Sequence, residues 1–115
     1  MTPDEINAKI EHYQTYIEGL ISEIQDAGIA AAEAETNYEI AYAQSRLSTR
    51  YHASESGTRV TVDAVDDEAT VTTAELRRQA LLTKNRLMTL REALSAAKSN
   101  LESLRTLSAS SRIIL

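Results

Sequence analysis

The stretch LRRQALLTKNRLMTLREALSAAKSNLESLRTL, Leu76 to Leu107, reads in alternating steps of four and three: Leu76, Ala80, Thr83, Leu87, Leu90, Leu94, Ala97, Leu101 and Leu104. All but Thr83 are apolar. Recurrence at that spacing lines one side of an α-helix and marks the a and d positions of a heptad seam, which is buried against another helix. One residue further round, at strict seven-residue spacing, stand Arg77, Lys84, Arg91, Lys98, Arg105 and Arg112. These cations take the e positions. The g positions facing them in a parallel self-pairing would be Gln79, Arg86, Ala93 and Asn100, none of them acidic. The counter-charge has to come from another helix of the same chain, from solvent or from an anionic partner. That choice is the functional question.

The other half of the chain carries the same rhythm. Ile6, Ile10, Tyr13, Ile17, Leu20, Ile24, Ala27, Ala31, Ala34, Tyr38 and Ala41 follow one another without a break, so a first long helix is expected over about residues 3–50. Its start is marked by a Thr2-x-x-Glu5 capping box, by Pro3 at the first helical position and by Asp4 in the first turn. Gly28 sits inside this run and costs about 1 kcal/mol relative to Ala. The seam keeps its register across it, so the reading favours one continuous helix over two. Between the long segments, Ser54-Glu55-Ser56-Gly57 reads as a loop over about 54–60. Val60-Thr61-Val62 has no strand partner, and Thr61 instead suits the cap of a short helix over about 62–69, with Asp63 in its first turn. Thr70-Val71-Thr72-Thr73 then kinks or restarts the helix. Thr73 is placed to cap the last segment, expected over about 73–108, before an apolar tail, Ile113-Ile114-Leu115, that should dock on a neighbouring surface. Two long helices and a short connector predict an all-α fold, a long-helix antiparallel hairpin that assembles as a coiled-coil-like oligomer.

Composition removes several function classes. At 115 residues the chain is one domain, without cysteine for a disulfide, a thiolate metal site or a Cys nucleophile. It has no long apolar run and no basic-then-apolar leader, which predicts a soluble cytoplasmic protein. With neither Trp nor Phe, an Ala-, Leu- and Ile-based core is thin for the length, and burial between subunits is expected. No phosphate loop, nucleophile elbow or HExxH motif occurs, and His12 and His52 are isolated, so neither an enzyme nor a cofactor is expected. Asp66, Asp67 and Glu68 lack the glycine-punctuated loop of a calcium site and read as a solvated helix face.

The net charge of −5 conceals a segregation: residues 1–45 carry −8, residues 46–59 carry +2, residues 60–75 carry −5 and residues 76–115 carry +6. An acidic first helix against a basic last one lets Glu11, Glu18, Glu23 and Glu39 neutralise the cationic row within the chain. The alternative leaves cations over for nucleic acid. Arg46, Arg50, Tyr51, His52 and Arg59 interleave positive charge with an aromatic ring, as single strands require, and Arg77, Lys84 and Arg91 offer a second basic surface.

The segment Ala41-Tyr42-Ala43-Gln44-Ser45-Arg46-Leu47, followed by a polar loop, a short acidic helix and a long helix ending Leu104-Arg105-Thr106-Leu107-Ser108-Ala109-Ser110-Ser111-Arg112, resembles small tailed-phage proteins, in particular recombination mediators of the UvsY type. The resemblance implies a ring-like homo-oligomer that binds single-stranded DNA and helps load a RecA-type recombinase while displacing a single-strand-binding protein. By position it makes Arg46 the DNA-contacting cation. It assigns the oligomer seam to Leu87, Leu90, Leu94, Leu101 and Leu104; Ile113 and Ile114 of the apolar tail extend that expected interface. The chain departs from that pattern in being net acidic and in lacking a dense basic run in its loop. Two readings from other classes stay open: a protein-binding coiled-coil adaptor or inhibitor using the acidic first helix, and a structural assembly component.

Overall fold

The computed structural model describes residues 1–114, with side chains through Arg112; the described residues form three α-helices and no strand. The fold is all-α, a long-helix antiparallel hairpin: α1 (Pro3–Ser56), the short α2 (Val62–Thr72) and α3 (Ala74–Ile114). None of the described helices is long and apolar enough to cross a membrane.

Helix α1 begins on the capping box. The Glu5 amide donates to Thr2 Oγ1 at 3.2 Å and the Thr2 amide donates to Glu5 Oε2 at 3.4 Å. The helix passes through Gly28 unbroken and runs beyond Arg50 to Ser56, further than the polar composition of that segment suggested. What stops it is Gly57, at φ 69°. The Thr58 amide donates to the Ala53 carbonyl at 2.9 Å and the Gly57 amide to the Ser54 carbonyl at 3.3 Å, the paired bonds of a Schellman end. Only glycine enters that left-handed conformation without a Cβ penalty. The loop is thereby shortened, and Thr61 opens α2 by accepting from the Ala64 amide at 3.1 Å.

The junction of α2 and α3 differs from its sequence reading. Thr73 does not cap α3 with its side chain. It is buried, and its hydroxyl donates back to the Ala69 carbonyl at 2.7 Å, alongside its own amide at 3.0 Å. The Arg77 amide then donates to the Thr73 carbonyl at 2.9 Å, so the helical ladder nearly continues through the knuckle.

Contacts divide the chain into two compact units, Met1–Ala27 with Arg86–Leu115, and Gly28–Asn85. In the first, α1 and α3 run antiparallel. The Asn100 amide donates to the Tyr13 hydroxyl at 3.4 Å, and Ile6 and Asn7 line one small cavity with Ser108 and Ser111. The seams meet here: Ile6, Leu20 and Ala27 of α1 and Ala97 and Leu101 of α3 are buried. In the second unit the later part of α1 lies antiparallel to α2, with Val65, Ala69 and Thr73 buried. Every position of the α1 seam from Ile6 to Ala41 is buried or half-buried. The apolar tail, and with it the docking expected of Ile113, Ile114 and Leu115, lies outside the described side chains.

Candidate nucleic-acid interface

The candidate cations divide by what surrounds them. Arg46, on α1, faces the first turns of α2. Its Nε lies 2.9 Å from Asp66 Oδ1, with the side chains 34% and 40% exposed. Both atoms are shielded from solvent, and the N–H is not aligned on the oxygen as in a hydrogen bond, so the contact is Coulombic. Arg46 is thus an element of the α1–α2 packing. As a DNA-contacting cation it would first have to give up Asp66. Sequence reasoning missed this pair because it depends on which acid the turn brings opposite Arg46, and Asp66, Asp67 and Glu68 are equivalent until the register is known.

Arg50 lies one turn beyond Arg46 on α1, shares its face and is exposed. Tyr51 is 63% exposed, with its ring edge-on to His52 at 5.7 Å between centroids. Arg59 follows in the loop after the glycine cap and is also exposed. Neither arginine is ion-paired among the described residues. The end of α1 therefore presents two positive charges and an accessible ring within ten residues of chain, groups suited to phosphates and to a base face.

Along α3, Arg77, Lys84 and Arg91 are exposed and, with Lys98, have no carboxylate partner among the described residues. Arg105 pairs with Glu102 at 3.1 Å, and Arg78, beside the row, with Glu75 at 3.4 Å. Both pairs are local steps along α3. Glu11, Glu18, Glu23 and Glu39, the acids that intramolecular neutralisation would use, form no ion pair among the described residues. Arg77 and Arg78 line a groove of about 480 Å³ with Thr70, Ala74, Leu81 and Leu82.

The leucines assigned to an oligomer seam face inward. Leu101 is buried, and Leu87, Leu90, Leu94 and Leu104 are half-buried on the side of α3 that meets α1. Leu104 shares a cavity wall with Lys9, His12 and Tyr13. A helix tethered in the same chain reaches this face at a high effective concentration. What remains there for a second copy is the edge of a row already covered by α1.

A second, mostly apolar row stands behind the first. Ile29, Ala32, Thr36, Ile40, Ala43 and Leu47 recur in steps of three and four on the face of α1 opposite its seam, and all six are exposed. Ile29, Ile40 and Leu47 are 61%, 52% and 65% exposed. The signal was present in the spacing, and it was masked by the stronger row. Among the described residues no group of three or more His, Cys, Asp or Glu is placed to hold a metal ion. Comparison with known protein families, curated proteins and solved structures returns no match.

Proposed function

We propose that the protein is a non-catalytic accessory factor of phage-type DNA recombination or replication, a homo-oligomer that holds single-stranded DNA and helps load a RecA-type recombinase. The observation that carries this reading is the end of α1 and the loop after it, where Arg50, Tyr51 and Arg59 are all exposed and neither arginine has a carboxylate partner among the described residues. Arg77, Lys84 and Arg91, without a carboxylate partner among the described residues, add charge along α3. Two cations per turn neutralise few phosphates, and affinity for a polyanion grows with the number neutralised. The reading therefore requires several copies that present their turns to one strand, so that weak contacts add by linkage.

Fluorescence anisotropy with a labelled single-stranded oligonucleotide tests it. Binding is expected at low ionic strength, falling linearly in log affinity with log salt. Arg50→Glu combined with Arg59→Glu should abolish it, and Tyr51→Ala should weaken it by about five- to a hundredfold if a base stacks there. No binding at low salt would end this reading. The exposed Ile29, Ile40 and Leu47 row specifically favours a second one, a protein-binding adaptor or assembly component without nucleic acid. A protein partner retained after nuclease treatment, together with no oligonucleotide binding, would select it.

A further inference from the structure

The outer row of α1 and the groove at the α2–α3 junction are both apolar at their centres and opposite in charge at their edges. The row is a helical ridge of Ile29, Ala32, Thr36, Ile40, Ala43 and Leu47, apolar at every position but Thr36, with none of its members buried. Glu33 stands on one flank and Glu39 on the other, and Arg50, the next step of the row after Leu47, lies past its apolar end; all three are exposed and without an ion-pair partner among the described residues. The groove is lined by Thr70, Ala74, Leu81 and Leu82, the two leucines 50% and 49% exposed, together with Arg77 and Arg78. Among the described residues Arg78 is held by Glu75 at 3.4 Å in a largely exposed pair, which is cheaply exchanged.

We infer that the α1 ridge of one copy seats in the Leu81/Leu82 groove of a second copy, with Glu33 and Glu39 reaching the cations that line that groove. The inference supplies the assembly that the DNA-binding reading needs, and it rests on that reading only for its purpose. Ridge against ridge is disfavoured because Glu33 and Glu39 would face their own kind, and groove against groove would oppose Arg77 and Arg78. Acid-flanked ridge into cation-flanked groove is the pairing left. It joins two different surfaces, so it is heterologous and generates a ring where its rotation closes. Arg77 then serves contact between copies, and the strand is left to the Arg50, Tyr51 and Arg59 turn.

The test is mass in solution by light scattering and sedimentation across low-micromolar to near-millimolar protein, on the full chain. The wild type is expected to associate. Leu47→Glu and Leu81→Glu each place a charge in the apolar contact and should raise the dissociation constant at least about a hundredfold, with helicity by circular dichroism unchanged because both sites are exposed in the single chain. Glu39→Arg and Arg77→Glu should each weaken association about tenfold, and the two together should restore it. A monomer at every concentration would overturn the inference, and so would an oligomer indifferent to Leu47→Glu and Leu81→Glu. Association without oligonucleotide binding would uphold it while removing the DNA reading, so the two failures are separable.

Discussion

Substituting Arg46 separates packing from DNA contact. Charges about 4 Å apart attract by about 1 kcal/mol in bulk water and about 4 kcal/mol at an effective dielectric of about 20. Arg46 and Asp66 are closer than that at Nε and Oδ1, 2.9 Å, but their side chains are 34% and 40% exposed, and the N–H is misaligned. Screening and the missing hydrogen bond leave a coupling of about 0.5–1 kcal/mol. The assay is a double-mutant cycle by urea unfolding with Arg46→Met, Asp66→Asn and both. Methionine keeps the unbranched stem that covers α1–α2 surface, so packing loss does not masquerade as lost charge. The coupling should shrink as salt is raised. In parallel, Arg46→Met should change oligonucleotide affinity less than about twofold, whereas Arg50→Met, lacking an internal partner, should lower it several-fold with stability unchanged. A coupling indistinguishable from zero at low salt, or an Arg46→Met variant that loses DNA as Arg50→Met does, would refute the division of labour drawn between the two arginines.

Gly57→Ala forces a Cβ into φ 69° and should cost about 1–2 kcal/mol, read as a lower midpoint in thermal or urea unfolding, with no steric clash to add to it. Ile6 is 2% exposed, and Ile6→Ala should cost about 2–5 kcal/mol by lost transfer energy and the space left behind; a loss under about 1 kcal/mol would mean that the two seams do not meet at Ile6.

The hairpin was legible because its signal is redundant. Each seam position from Ile6 to Ala41 repeats the same instruction, and no single exception such as Gly28 outweighs the rest. Caps at Thr2 and Thr61 were legible for a related reason: a hydroxyl two or three residues ahead of an unsatisfied amide is a local geometry. Three features were not. The end of α1 lies past Ser54, in residues of poor helix propensity, and is decided by Gly57 folding back on Ala53 and Ser54. The partner of Arg46 lies across the turn, where register decides which acid arrives. The same holds for the leucines of α3: periodicity says that they are covered, and only the three-dimensional arrangement says that α1 of the same chain covers them. The ridge of Ile29, Ile40 and Leu47 was legible in principle, since apolar residues on both faces of one helix ask for two neighbours.

The passage of the α1 seam from isoleucine and leucine to Ala27, Ala31, Ala34 and Ala41, with only Tyr38 large among them, has a mechanical consequence. A methyl group removes far less apolar surface from water than an isoleucine side chain, and each missing methylene forgoes about 0.8 kcal/mol. Amide protons along this alanine-lined reach of α1 should therefore exchange sooner than those beside Ile6 and Leu20. Arg50 and Tyr51 stand beyond that reach, near the end of the same helix, so exchange there reports on the Gly57 cap rather than on the alanine seam.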